Sequence, residues 1–467
     1  MSELWQMSAL ELAEQIRTKQ ASSREVLAAH LARVDEVNPH LNAVVRRLDD
    51  EAFAAADAAD AAVAADAVLG RLHGVPCTIK ENIDVAGTPT TQGVVALASA
   101  IASIDAPTTA RMRAAGAIPF ARTNLPDFGL RVHTDSQLHG LTRNPWNPNV
   151  TAGGASGGEA SAISSGMSPI GLGNDIGGSL RNPAHCCGIA SLKPTVGVIP
   201  MATVVPPLEM GISSQLMVVE GPMARTIADV RAGLEILAGQ HPRDPRSVSA
   251  VLDDATPGER MKIAMLPEPP GGRTDPGIAN AIRSVGDLLS NAGHDVVEVV
   301  PPDYETVIAL WAQILIADVR QQQELLSLVM GEGGQKVLAN LERELEPTDL
   351  AGVLTSHLER YRVMQTWSAF FTEYPILISP TWALPAFEHG ADLDPAQTEL
   401  VTDTIRPVVI ANLLGTPAAI TPAGVVGGLP VGVQVMGDRF SDQRCLTVAA
   451  EIESLVGTFT PINPITS

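Results

Sequence analysis

The sequence predicts an α/β fold, and three observations lead to it. Short apolar runs bounded by glycine or proline alternate with helical segments, as in GVPCTIK (74–80), PTTARMRAAG (107–116) and AIPFARTN (117–124). A hydrophobic share of 45%, with 40 Gly and 35 Pro spread over 467 residues, suits a large buried core and leaves no low-complexity tract. Two glycine clusters, GGASGG (153–158) and GNDIGGS (173–179), bracket a small-residue segment of helical character.

Taken in order, residues 7–66 read as helices. Ser8 is placed to cap the first and Ser22 or Ser23 the second, and an Ala/Asp-rich stretch from 49 to 66 forms the third. A strand ending at Lys80 follows, then the helix 107–116 with its glycine stop and the strand in AIPFARTN. Beyond the glycine clusters, 226–238 reads as a helix and MKIAML (261–266) as a strand. GIANAIRSVGDLLSNAGHDVVEV reads as a helix followed by a strand. Residues 303–374 are mostly helical, and strand-like runs return in PILISP and VGVQVM.

Composition narrows the function. With 31 Lys+Arg against 52 Asp+Glu the net charge is −21, which repels polyphosphate, so no nucleic-acid partner is expected. No run of about 18 uncharged apolar residues is present, and the first twenty residues lack the basic, apolar, small order of a signal peptide. No membrane association is expected. Cys77, Cys186, Cys187 and Cys445 form no CxxC pair, which fits a reducing cytoplasm. The ten His show no metal-ligand spacing, so no metal is expected.

The chemistry sits in the glycine clusters. Gly177 and Gly178 let the chain turn sharply before Ser179, so that the amides of Ile176 to Ser179 can converge on one oxygen. That is what acyl transfer needs at its oxyanion. A tight turn whose serine merely caps a helix near Arg181 would look the same in isolation. A nucleophilic serine also needs a base, and no His stands in a triad context. Lys80, the first charged residue after an apolar run, can serve if burial lowers its pKa.

Seven segments carry a family resemblance. LHGVPCTIKENIDVAGTPTT, RTNLPDFG, GLTRNPWNP, GGASGG, GLGNDIGGSLRNPAHCCGIASLKPTVG, VEGPMARTIADV and GTPAAITPAGVVGGLPVGVQVMG, in this order, closely resemble the amidase signature family over residues 8–453. The resemblance implies one amidase-signature domain over 1–467, a large central mixed β-sheet covered by helices on both sides. Segment 1–66 would be helical and region 303–374 would line the substrate pocket. It implies a serine hydrolase of carboxamides with no metal or organic cofactor. Lys80 matches the family's lysine, Ser179 its nucleophile, and Ile176, Gly177, Gly178 and Ser179 its oxyanion donors. Ser156, Asp175, Arg181 and Asn82 match supporting positions. A homodimer is an open suggestion of the same resemblance.

One position departs from the pattern. The family's bridging serine, in a cis peptide, lies 24 residues before the nucleophile, and position 155 is alanine. A methyl group cannot pass a proton between serine and lysine, so the chain as written is expected to be impaired by about 10² to 10⁴ in rate. Three explanations compete: an engineered substitution, a natural variant in which Ser156 or a water relays the proton, and a binding protein without catalysis.

The formal G-x-S-x-G match at 154–158 is set aside because NPWNPNVTAG before it is turn-like rather than a strand. A phosphate-binding loop is excluded by the absence of GxxxxGK[ST]. Segments 128–137 and 201–214 and the helices around Trp311 and Trp367 are expected to line an apolar acyl pocket. The expected substrate is a small amide, anilide or acyl hydrazide. A glutamine-hydrolysing amidotransferase component is the rival reading.

Overall fold

Strands form where β-branched and apolar residues are fenced by glycine and proline. The computed structural model describes residues 3–206, 208–252, 256, 258–344 and 347–466. Its strands are β1 (Val44–Arg47), β2 (Pro76–Lys80), β3 (Ile118–Thr123), β4 (Asp135–Ser136), β5 (Gly140–Leu141), β6 (Ile170–Asp175), β7 (Ala190–Lys193), β8 (Val219–Ala224), β9 (Lys262–Met265), β10 (Asp295–Glu298), β11 (Ile376–Pro380), β12 (Ala418–Val426) and β13 (Leu429–Met436). Its helices are α1 (Ala9–Arg17), α2 (Ser23–Leu41), α3 (Asp49–Ala64), α4 (Pro107–Ala114), α5 (Gly157–Ser164), α6 (Arg181–Cys187), α7 (Ile212–Met217), α8 (Ile227–Leu237), α9 (Pro276–Asn291), α10 (Tyr304–Val329), α11 (Glu332–Glu344), α12 (Leu350–Glu373), α13 (Thr398–Leu414) and α14 (Asp442–Val456).

Eleven strands form one mixed sheet in the order β1-β3-β2-β6-β8-β7-β12-β13-β11-β9-β10. Successive side chains on a strand point to opposite faces, and the core follows that alternation. Ile263 of β9 joins one hydrophobic cluster with α8, α9 and α14, while its neighbour Ala264 joins another with α10, α12 and α13. Ile376 and Leu377 of β11 divide in the same way. Both faces of the sheet are therefore covered by helices, as expected.

The first two caps are where the sequence places them: Ser8 accepts from Glu11 N and Ser22 from Glu25 N. The expectation of helix throughout 1–66 needs one correction. Residues 44–47 form β1, which pairs antiparallel with β3 at the sheet edge. VVRR is too short to show a period, and its pairing with β3 fixes it as strand.

Strands β3, β2 and β6 run parallel, with Lys80 opposite Thr123 and Ile79 opposite Leu172. Their carboxyl ends, at Lys80, Thr123 and Asp175, thus lie side by side, the position where open α/β sheets place ligands. Glu159 of α5 fastens the helix across these strands by accepting from Thr78 Oγ1 and, at 2.7 Å, from Thr123 Oγ1. Because Ile79 is fully buried between two parallel neighbours, Ile79→Ala is expected to destabilise the fold by about 2–5 kcal/mol. A shift of the urea midpoint at unchanged m-value checks it.

Candidate functional site

The GGASGG cluster is a crossing of backbones. A Cβ at Gly154 would lie 2.6 Å from Arg131 O and His133 N, and one at Gly158 would lie 2.5 Å from Asn124 N. Only glycine fits such approaches. The Gly154–Ala155 peptide is cis. Thr134 Oγ1 donates to Gly153 O at 2.8 Å and accepts from Gly157 N at 3.1 Å, holding both sides of the crossing. No strand precedes Ser156, so the nucleophile-elbow geometry is absent there.

The second cluster turns from β6 into α6. The Asp175 carboxylate accepts from Gly178 N (2.9 Å), Leu180 N (3.1 Å), Asn412 Nδ2 (2.8 Å) and the Arg181 guanidinium (2.9 and 3.0 Å). Burial works to raise this carboxyl, but Arg181 and the hydrogen bonds hold it down at about 2. Arg181 also donates to Val408 O, Gln434 Oε1 and Asn412 Oδ1, so the turn is tied to α13 and β13. Asp175 and Arg181 thus form a fully buried ion pair at the turn. Ser179 does not cap α6, whose N-cap is Leu180.

One expected oxyanion donor differs. Gly178 has φ +95° and its N–H is committed to Asp175 Oδ1, whereas Ile176, Gly177 and Ser179 line a cavity. The carboxylate that shapes the turn takes the amide between them. Of the four residues, Ile176, Gly177 and Ser179 border the cavity and Gly178 does not.

Lys80 is fully buried, and its Nζ donates to Asn174 Oδ1 at 2.7 Å, next to the Asp175 turn. Burial lowers its pKa to about 7 against the opposing pull of Asp175, Glu159 and Glu220. Burial also raises Glu159 to about 7. An amine in that range is neutral often enough at physiological pH to accept a proton. Ser156 Oγ is buried and lies 3.5 Å from Asn174 O, so Lys80 and Ser156 meet the same residue. Asn82 does not grip the lysine segment through its Oδ1, which is buried without a hydrogen-bond partner. Arg122 does so instead, donating to the carbonyls of Ile79, Lys80 and Ile83.

Sequence reasoning missed Asn174 and Asn182. Asn182 Nδ2 donates to Gly154 O at 3.3 Å and to Gly177 O at 3.0 Å, and its Oδ1 accepts from Trp382 Nε1 at 2.7 Å. It joins the two glycine clusters directly. The only signal available was its place in SLRNP, three residues after Ser179.

The cavity is about 230 Å³ and is walled mainly by apolar side chains of α10, α11 and α13, with Ser179 in its lining. Trp311 closes one side, donating from Nε1 to Ile176 O at 2.9 Å, and a Cβ at Gly177 would lie 2.8 Å from its ring. Of the segments expected to line it, Gly129–Val132 and the helix of Trp311 do so. The described residues of 201–214 do not, and position 207 lies outside the described residues. Trp367 does not either: it packs in the core against Tyr304 and Phe371. Helix α13, unforeseen, supplies Val401, Ile405 and Val409. All four cysteines are buried and free, and no helix of the described residues is long and apolar enough to cross a membrane.

A family profile for Amidase matches residues 25–446. The chain belongs to the amidase family. It is 40% identical to an indoleacetamide hydrolase of Bradyrhizobium diazoefficiens, over 97% of this chain and 87% of the relative. It is 32% identical to a glutamyl-tRNA(Gln) amidotransferase component of Salinispora arenicola, over 99% of each. A solved bacterial aryl acylamidase of the amidase signature enzymes superposes with a TM-score of 0.85 at 26% identity, covering 97% of both chains. The large mixed sheet is thus that of the amidase signature enzymes.

Replacing Asn182 by Ala would strand the buried Trp382 indole N–H and the buried Gly154 carbonyl, and would free the half-buried Gly177 carbonyl. Asn182→Ala is expected to cost at least about 2 kcal/mol, since each buried group left unpaired costs about 1–3 kcal/mol. Denaturant unfolding measures it.

Proposed function

We propose that the chain is an amide hydrolase of small apolar or aromatic acyl amides, anilides or hydrazides, working through an acyl-enzyme on Ser179 within one domain spanning 1–467. The observation that carries this reading is the junction at the end of β6. There a buried lysine amine, lowered to about pKa 7, abuts the turn that carries Ser179, and Ile176, Gly177 and Ser179 line an apolar cavity.

In the full relay, Ser179 Oγ attacks the carbonyl carbon while its proton passes through a hydroxyl at position 155 to neutral Lys80. The oxyanion accepts hydrogen bonds from the backbone amides. The lysine proton then returns by the same route to the leaving nitrogen, the C–N bond breaks, and water later releases the acid. Ala155 interrupts that relay, so the chain as written is a disabled form. The apolar walls favour an apolar or aromatic acyl group. The amidotransferase reading is less well supported. Glutamine brings a charged amine and carboxylate, whereas Arg131 at the cavity wall is already paired with Asp392 at 2.8 Å and with Asp135 at 3.3 Å.

Ala155→Ser is expected to raise hydrolysis of a benzamide, anilide and benzoyl hydrazide panel by at least about 10², the usual scale of a general acid–base link. Equal rates with and without the serine would remove position 155 from the relay. In the same protein, Ser179→Ala should abolish the acyl adduct seen by intact mass.

The pH dependence follows from Lys80. Its folded pKa is depressed from 10.5 to about 7, and the neutral amine is the base. The kcat/KM of Ala155→Ser should therefore rise as pH increases through about 7 and fall below it. A flat profile between pH 6 and 8 would assign the base elsewhere.

A further inference from the structure

Three successive peptide planes make the turn from β6 into α6, and each is held by its carbonyl oxygen. All three are trans. In a planar trans peptide the C=O and the N–H that follows point in opposite directions, so whatever holds the oxygen also aims the amide. Gly178 O accepts from Arg181 N at 2.8 Å and from Asn182 N, at the start of α6, which sets the Ser179 N–H. Gly177 O accepts from Asn182 Nδ2 at 3.0 Å, while the Gly178 N–H of the same plane donates to Asp175 Oδ1 at 2.9 Å. Ile176 O accepts from Trp311 Nε1 at 2.9 Å, and the Gly177 N–H belongs to that plane.

Two of these three holds are local to the motif and its helix. The third comes from α10, 135 residues further along the chain. The indole ring reinforces it, because a Cβ at Gly177 would lie 2.8 Å from Trp311 Cζ2, and only glycine lets the ring edge close on the backbone there. The plane is thus fixed at its oxygen and at the Cα that follows. Among the described residues the Gly177 and Ser179 N–H groups have no hydrogen-bond partner, and both residues, like Trp311, line the cavity.

We propose that Trp311 is a positioning residue for acyl transfer at Ser179: by holding the Ile176 carbonyl it aims the Gly177 N–H at the oxygen that becomes negative when Ser179 attacks. The inference rests on the reading of Ser179 as nucleophile. An amide free to swing has to reorient as charge develops, whereas a held one is already in place. In this role Trp311 acts through the peptide rather than on the substrate.

The same side chain is also cavity wall, and the two roles separate by chemistry. Trp311→Phe keeps an aromatic ring and removes the N–H donor. The probe is benzylboronic acid, the boron counterpart of phenylacetamide. On binding, a bond forms between Ser179 Oγ and boron, the hydroxyl proton leaves to solvent, and boron becomes a tetrahedral anion with an oxygen at the oxyanion position. Phenylacetamide fills the same wall without that charge. Affinities are read at equilibrium, so they do not depend on the proton relay that Ala155 interrupts.

The test is calorimetric titration of both ligands into the full chain, Trp311→Phe, Ser179→Ala and Leu315→Ala, the last a cavity-wall residue on the same helix. Trp311→Phe is expected to lose at least about tenfold in boronate affinity, less than the roughly 10² to 10³ that removing an oxyanion donor outright costs, with phenylacetamide affinity unchanged. Gly177→Ala, whose Cβ pushes the plane off the indole, should reproduce that selective loss, and Leu315→Ala should weaken both ligands alike. Equal loss of both ligands in Trp311→Phe would make Trp311 cavity wall alone, and unchanged boronate affinity would remove it from the oxyanion; either overturns the proposal. Boronate that binds Ser179→Ala as tightly as the parent chain, or binds neither, would overturn the nucleophile reading and the proposal with it.

Discussion

Burying a lysine amine at the end of a central strand is costly, and much of the structure answers that cost. Lys80 has left water entirely, and its ammonium finds one hydrogen-bond acceptor, Asn174, with the carboxyls of Asp175, Glu159 and Glu220 in electrostatic reach. An isolated buried charge would be far less favourable still, so the group moves toward its neutral form. That shift makes it a base at neutral pH. Strands β3 and β6 exclude water on either side of β2, and Arg122 fixes the chain at and just beyond the lysine by its bonds to the carbonyls of Lys80 and Ile83. The sheet therefore sets the protonation state of this amine, because a lysine at an exposed strand end would remain protonated.

The second dependency runs through Asp175 and Arg181. One fully buried ion pair shapes the turn before Ser179 and reaches α13 through Val408 O and Asn412. Helix α13 also supplies cavity wall through Val401, Ile405 and Val409. The turn and that wall consequently form one rigid piece. Removing either partner would leave an uncompensated buried charge, the most disruptive change available to such a pair. The same carboxylate occupies the Gly178 amide, so one of the four candidate donors is already committed.

Much of this was legible in the sequence where punctuation is strong. β2, β3, α4, α9 and β10 stand out because glycine, proline and a clear period mark their edges, and Ser8 and Ser22 mark the helix starts. β1 was not, because four residues between two helices carry no period and only the long-range pairing with β3 makes them a strand. Trp311 and Trp367 lie on helices of similar composition, and nothing local decides which ring turns to the cavity and which to the core. Asn174 and Asn182 look like ordinary loop or cap residues until the fold brings their amides against Lys80 and the two glycine clusters. Asn82 shows the converse, a residue inside a recognisable motif whose Oδ1 bonds to nothing.

The alanine at 155 is instructive because its surroundings are built for a residue held in place. The carbonyl before it is bound by Asn182, Gly154 is enclosed by Arg131 and His133, and the residues after it enter α5 under the grip of Thr134. These contacts involve backbone atoms and neighbouring side chains, and none needs an oxygen on residue 155. Its position is set by the chain on both sides, so alanine and serine there differ by one atom in an otherwise fixed frame. On the proposed relay their difference is one of proton transfer rather than folding, and a chain with alanine can retain every support of the site while lacking the hydroxyl that relay would use.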